Sequence, residues 1–76
     1  MTLDQCKCNE TVLITHLIGT SPFRRRLMEM GLVPDTNVTI LKVAPFRDPI
    51  EIFFKNCRCI LSKNEASLIE VRSQLK

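Results

Sequence analysis

The 76-residue sequence has neither tryptophan nor tyrosine, and it contains only two glycines and one histidine. Two glycines are too few for a Gly-rich loop that would cradle a phosphate group. A Cys–His nucleophile needs a base that an orienting acid or a second histidine supports, and the sequence around His16 supplies neither. These absences predict that the chain is not an enzyme.

Long apolar runs are absent as well. No stretch approaches the roughly 20 residues that cross a bilayer, which predicts no direct membrane insertion. Residues 1–10, MTLDQCKCNE, have no basic segment followed by an apolar one, so they do not resemble a signal peptide. We therefore expect a cytoplasmic protein. The formal net charge of +3 would assist an anionic partner without requiring one.

The composition, 45% hydrophobic and 25% charged, is typical of one small globular domain, here residues 1–76. Alternating and β-branched segments predict five short strands, at residues 11–17, 37–44, 50–55, 57–61 and 68–72. A helix follows the first strand, and Ser62 with Glu65 matches a capping box for a short helical turn before the last strand. This order predicts a small, mostly antiparallel barrel, because closing the sheet would leave no open edge.

The second predicted strand changes phase. Val38 and Ile40 share one face, whereas Leu41 and Val43 share the other. Such a change indicates a β-bulge or burial on both faces. The segment from Pro45 to Pro49 then forms the loop that leads into the third strand.

The inserted helix, SPFRRRLMEMGL at residues 21–32, carries signals for both of its ends. Ser21 is a good N-cap, and Pro22 suits the first helical position, where a missing N–H costs nothing. Gly31 suits the left-handed position after the helix, and Pro34 prevents continuation. Between the ends, an apolar face predicted to pack on the core is formed by Phe23, Leu27 and Met30.

Three consecutive arginines stand in the first turn, where the helix dipole is positive and acidic residues are preferred. Arg24, Arg25 and Arg26 lie about 100° apart around the axis, so they do not form one phosphate-binding stripe. Stacking aromatics are absent too, and we therefore expect no nucleic-acid partner. Either the arginines form a solvated helix face, with Arg25 paired to Glu29, or they dock an acidic protein partner.

The order and spacing of several fragments resemble the FeoA family, small cytosolic accessory proteins of bacterial ferrous iron transport. The resemblance covers nearly the whole chain, residues 3–71, and rests on the capped helix with its arginine triplet, LMEMGL, Pro34, APFRDPIE at residues 44–51, and EA…IEV at residues 65–71. It implies an SH3-like barrel and a non-enzymatic protein that docks on the cytosolic part of the FeoB membrane transporter. The residues expected to form that docking surface are Arg24, Arg25, Met28, Gly31 and Leu32, with Pro45 and Asp48 nearby.

Four cysteines depart from the family pattern. They form two C-x-C pairs, Cys6 with Cys8 and Cys57 with Cys59. Residues i and i+2 of a strand share a face, so the pairs would present four thiolates to zinc or iron if their segments were adjacent. Metal binding or sensing is therefore the alternative function. Redox pairing and simple packing of buried thiols remain open beside it.

Overall fold

The computed structural model describes residues 1–74. Five strands form one antiparallel sheet in the order β4-β3-β2-β1-β5. The elements are β1 (Thr11–Leu17), α1 (Ser21–Met30), β2 (Asn37–Val43), β3 (Ile50–Phe54), β4 (Cys57–Leu61), α2 (Lys63–Ala66) and β5 (Ile69–Ser73), with 3-10 turns at Leu3–Gln5 and Pro45–Arg47. The predicted five strands, inserted helix and short helical turn are confirmed.

The core lies on one face of the sheet. Leu27 of α1 packs there without exposed surface, as do alternate residues of the strands. Leu3 and Cys6 of the N-terminal segment are equally buried. No helix or strand was predicted for this segment, because its polar sequence carries neither pattern.

The sheet does not close into a barrel. Within residues 1–74 no ladder joins β4 to β5, because α2 lies between them in the chain and the Leu3–Gln5 turn packs against both α2 and β5. The predicted full closure is therefore wrong in this detail. One flank of β5 is instead covered by the chain's start, through a bridge of Thr2 with Glu70 and a 2.8 Å bond from the Val71 N–H to the Met1 carbonyl.

The predicted irregularity of the second strand is confirmed as a bulge. The register of β2 against β3 shifts between Ile40 and Lys42, which turns Lys42 to solvent. A second shift lies in β1 between Ile14 and His16. It moves His16 out of phase with the buried residues, so the histidine lies exposed, 3.2 Å from the carboxylate of Glu70.

The N-terminal end of α1 differs by one residue from the prediction. Thr20, not Ser21, is the N-cap, because its extended backbone aims its hydroxyl at the N–H of Phe23 at 3.4 Å. Gly31 ends the helix with φ 98°, as expected for the left-handed position. Met30 is 42% exposed, so its predicted place in the core is wrong.

Candidate functional site

The predicted docking residues of α1 fall into exposed and buried groups. Met28 is 47% exposed and Arg25 is exposed as well. Leu32 is completely buried, so it cannot contact a partner and its expected place on the surface is wrong. Gly31 is half-buried against Phe54, and its left-handed backbone is reason enough for a glycine there.

The three arginines have three different environments. Arg24 turns back along the helix and donates to the Gly19 carbonyl at 2.7 Å. Arg26 forms an ion pair with Glu65 of α2 at 2.6 Å. Within residues 1–74, Arg25 forms no ion pair, not even the one with Glu29 that helical spacing allows. Arg25 is therefore the arginine of the triplet whose charge remains available to a partner.

The Pro45–Pro49 loop is linked to α1 through α2. Helix α2 connects the two, because it pairs with Arg26 on one side and its Lys63 N–H donates to the Asp48 carboxylate at 3.1 Å on the other. Helical spacing places Arg26 about 160° from Met28. The predicted surface is therefore divided into a helix part and a loop part.

The loop part presents an aromatic side chain to solvent. Phe46, the second residue of the Pro45–Arg47 turn, is 94% exposed, more than any other large apolar residue between 1 and 74. Its φ of 62° and that of Arg47, 61°, lie in the left-handed region, which costs an L-residue about 1–2 kcal/mol each. A bulky aromatic residue persists in this conformation only where its surroundings hold it.

The side chain of Arg47 forms much of the contact that holds the Pro45–Arg47 turn in this conformation. This side chain crosses to the N-terminal segment, where Nε donates to the Asp4 carbonyl at 2.6 Å and Nη2 donates to the Cys6 carbonyl. On the far side of Phe46, Asp48 accepts the bond from Lys63 described above. Arg47 and Asp48 are both bonded to other elements, so the fully exposed Phe46 is carried by a fixed loop. Asp48 thus helps to hold the loop in position. Pro45 lies exposed, next to Phe46 in the chain.

The apolar surface continues from the loop onto the outer face of the sheet. Ile60 of β4 is 66% exposed. It borders a shallow cavity of about 70 Å³, whose lining is formed by Lys42, Ala44, Pro49, Glu51 and Ile60. Since Ala44 and Pro49 flank the turn that carries Phe46, we name the loop and this cavity together the Phe46–Ile60 surface.

One local feature of the sequence indicates this surface. An aromatic residue in APFRDP, a loop otherwise made of proline, charged residues and alanine, has no strand or helix face on which to be buried. The bonds of Arg47 to the N-terminal segment could not be predicted from the sequence, because they join residues about 40 positions apart that no local pattern relates.

The four cysteines do not converge. Cys6 is buried, and its thiol lies 3.8 Å from the Thr2 carbonyl, whereas the exposed Cys8 thiol lies 3.2 Å from the Leu41 carbonyl. Cys57 is exposed and Cys59 is half-buried on β4. No group of three or more His, Cys, Asp or Glu side chains within residues 1–74 is placed to hold a metal ion. The cysteines thus do not fit the four-thiolate zinc or iron site that the pairs suggested.

Burial shapes the acid–base behaviour of two of these thiols. Burial, with a smaller contribution from Glu10, raises the pKa of Cys6 from 9.0 to about 11. Burial and then Glu65 raise the pKa of Cys59. Both thiols are therefore protonated at neutral pH, the form that is poor at binding metals and at attacking disulfides. Cys6 behaves as a small core residue.

The Cys6 thiol predicts an alkaline loss of stability. The unfolded chain ionises this group from about pH 9, whereas the folded chain keeps the proton until about pH 11. The unfolded state then binds fewer protons, so the free energy of unfolding falls as the pH rises through this window. We expect a fall of the order of 2 kcal/mol that Cys6→Ala lacks. Urea unfolding of both proteins at pH 8 and at pH 11 measures this fall. An equal change in the free energy of unfolding of the two proteins between these pH values would contradict the prediction.

The comparisons with known proteins agree with the fold and with the order of the motifs. The profile of the FeoA domain family matches residues 1–73. A Porphyromonas gingivalis protein, the Fe(2+) transport protein A/Fe(2+) transporter FeoB fusion protein, is 31% identical over 71 residues. These residues are 93% of this chain and only 8% of that much longer relative.

Solved structures show the same architecture. The solution structure of the FeoA protein from Chlorobium tepidum is 32% identical with a TM-score of 0.89, over 99% of this chain and 71% of that one. The crystal structure of Stenotrophomonas maltophilia FeoA complexed with zinc, described as a procaryotic SH3 domain protein, is 22% identical with a TM-score of 0.83, over 95% and 89% of the two chains. At that identity the second likeness concerns the fold alone, and it confirms the predicted SH3-like class.

Proposed function

The chain belongs to the FeoA family, and on that premise we propose that it is a non-enzymatic accessory protein of bacterial ferrous iron uptake. In this proposal it docks on the cytosolic part of a FeoB-type membrane transporter and modulates transport. The proposal places it in the cytoplasm. Neither helix within residues 1–74 has the length and apolar character needed to cross a bilayer.

The fusion relative supports the choice of partner. In that protein a region matching 93% of this chain is part of one polypeptide named for both the transport protein and FeoB. Linking two modules raises their effective concentration near each other, which is useful when the modules act together. Separate chains of the same kind need an interface strong enough to replace the link.

The observation that carries the proposal is the fixed, exposed aromatic ring of Phe46. A fully solvated apolar side chain on a strained and clamped turn does nothing for the core of the free protein. Buried aromatic anchors, in contrast, dominate the free energy of protein interfaces. We therefore assign the main contact to the Phe46–Ile60 surface, and we retain Arg25 and Met28 on the helix as a second, peripheral contact.

Charge reversal tests the peripheral contact. We expect Arg25→Glu to weaken binding to the purified cytosolic region of the transporter about three- to tenfold. The effect is modest because charges at the rim of an interface act mainly on the association rate. The free energy of unfolding should change by less than about 0.5 kcal/mol, because Arg25 is exposed and forms no ion pair within residues 1–74. Biolayer interferometry at 50 mM and 300 mM salt measures the effect, which should shrink at the higher salt.

The proposal as a whole is tested by the same assay with the wild-type chain, followed by ferrous iron uptake into cells that have or lack it. Unchanged affinity of Arg25→Glu at low salt would remove the helix from the interface. Absence of any binding by the wild-type chain, together with unchanged uptake, would contradict the docking function itself.

A further inference from the structure

Strand β4 is an open edge of the sheet. The order β4-β3-β2-β1-β5 places β4 and β5 at the two ends. The outer flank of β5 is occupied by Met1 and Thr2. Among residues 1–74, in contrast, no segment pairs with the outer flank of β4. This flank is thus available to a strand from another molecule.

The register of the hairpin identifies the backbone groups at this edge. Phe54 and Cys57 flank the two-residue turn at Lys55 and Asn56, both of which have positive φ. In such hairpins the flanking pair exchanges both hydrogen bonds, and bonding then alternates along the strand. Cys57, Cys59 and Leu61 therefore bond to β3, whereas the N–H and C=O groups of Arg58 and Ile60 point outward.

The edge lacks most of the usual protection against pairing. Natural edge strands carry proline, bulges or several charges that keep other strands away. β4 contains no proline, and its five residues pair with β3 without a register shift. Its outward apolar side chain, Ile60, is 66% exposed. An edge left in this state is suited to strand addition.

The charge around the edge indicates the kind of strand that fits. Lys55 precedes β4, Arg58 lies within it and Lys63 follows it, all of them exposed. Glu51 is 3.8 Å from Arg58, at the outer limit of an ion pair. Within residues 1–74 the two lysines form no ion pair. The Lys55 ammonium lies near Gly31 at the end of α1, so Arg58 and Lys63 are the cations at this edge that an acidic segment would complement.

The same charges disfavour a second copy of the chain. Two β4 strands paired antiparallel would bring the Lys55 end of one copy to the Lys63 end of the other. Like charges facing each other across paired strands are destabilising.

We propose that β4 accepts an extended, acidic segment of the transporter's cytosolic region as a sixth strand, an inference that rests on the docking function proposed above. The segment's backbone bonds to the outward groups of Arg58 and Ile60. Its acidic side chains face Arg58 and Lys63, and an apolar side chain between them packs on Ile60 beside the cavity. This site adjoins Phe46 through Pro49, so both contacts belong to one continuous surface.

A proline substitution tests the backbone contact. Arg58→Pro removes an N–H that points away from β3, so the β3–β4 ladder retains its bonds. Arg58→Ala removes the same charge and keeps the N–H, which makes it the matched control. We expect Arg58→Ala to bind the purified cytosolic region a fewfold more weakly than wild type, and Arg58→Pro about tenfold more weakly still.

Amide hydrogen exchange of the wild-type protein provides a measurement that does not depend on the variants. The amides of Arg58 and Ile60 should exchange at least about tenfold more slowly in the complex, whereas the Cys59 amide, already bonded to β3, should change little. Equal affinities of the two Arg58 variants with unchanged exchange at Arg58 and Ile60 would overturn strand addition while leaving docking intact. Failure of the wild-type chain to bind would instead overturn the docking function. If sedimentation showed that the free protein is a dimer, and the Arg58 and Ile60 amides were already protected in the same samples, the proposal of an acidic partner segment would be overturned.

Discussion

Replacing Phe46 with alanine is expected to weaken binding to the cytosolic region of the transporter by at least about thirtyfold. Truncation of an aromatic anchor at the centre of an interface costs about 2 kcal/mol or more, which corresponds to that factor. The free energy of unfolding should remain within about 0.5 kcal/mol of wild type, because the ring is 94% exposed and contributes nothing to the core. Isothermal titration calorimetry and urea unfolding on the same samples measure both quantities.

Two further substitutions separate the ring from the backbone that carries it. Alanine and phenylalanine both have a Cβ atom, so Phe46→Ala retains the cost of the positive φ. Phe46→Gly removes that cost and should raise stability by roughly 1 kcal/mol while losing affinity as much as alanine does. Phe46→Trp should retain most of the affinity. Met30→Ala, at another exposed apolar residue, is the control for general loss of apolar surface.

A different pattern would place the interface elsewhere. If Met28→Ala weakened binding strongly and Phe46→Ala did not, the helix would be the main contact and the loop would not. If both variants bound like wild type, neither part of the predicted surface would carry the interaction.

Replacing Arg47 with methionine should have the largest effect on stability. The substitution removes two charge-assisted hydrogen bonds, to the carbonyls of Asp4 and Cys6, and retains the apolar length of the side chain. Hydrogen bonds to charged groups contribute about 1.5–3 kcal/mol each, and partial replacement by water reduces the sum. We expect a loss of about 2–4 kcal/mol, measured by urea unfolding. Arg58→Met, at an exposed arginine with one distant acid, is the matched control and should lose less than about 0.5 kcal/mol.

Thiol labelling shows whether this loss begins at the N-terminal segment. Cys8 and Cys57 are exposed and should react with a maleimide quickly in every variant. Cys6 is buried with a raised pKa and should react slowly in the wild-type protein. In Arg47→Met the rate at Cys6 should rise at least about tenfold, because the segment opens locally more often. An unchanged Cys6 rate beside a normal free energy of unfolding would show that Arg47 does not hold the segment.

Local signals in the sequence predicted the elements well where one residue type has a strong backbone preference. Gly31 ends α1, Ser62 and Glu65 form the capping box of α2, and the phase change in residues 38–43 is a bulge. Each of these depends on neighbours within a few positions.

The candidate site was less predictable because it depends on contacts between distant segments. Burial of Leu32 and exposure of Met30 follow from how α1 lies against the sheet, and helical spacing alone gives only the relative directions of side chains. The cysteine pairs looked like metal ligands as long as their segments were assumed to be neighbours. In the structure the Cys6 thiol is directed to the Thr2 carbonyl and the Cys8 thiol to the Leu41 carbonyl of β2, whereas the second pair lies on β4.

The path of the N-terminal segment has a consequence for the timing of assembly during synthesis. Residues 1–6 are synthesised before the rest of the domain, yet Met1 bonds to Val71, and Asp4 and Cys6 bond to Arg47. The first residues therefore reach their places only after the last strand has been made, since contacts between distant segments form late and at an entropic cost. Phe46 is fixed through the same bonds of Arg47. Phe46 therefore becomes fixed only when the N-terminal segment and the Pro45–Arg47 turn are both in place.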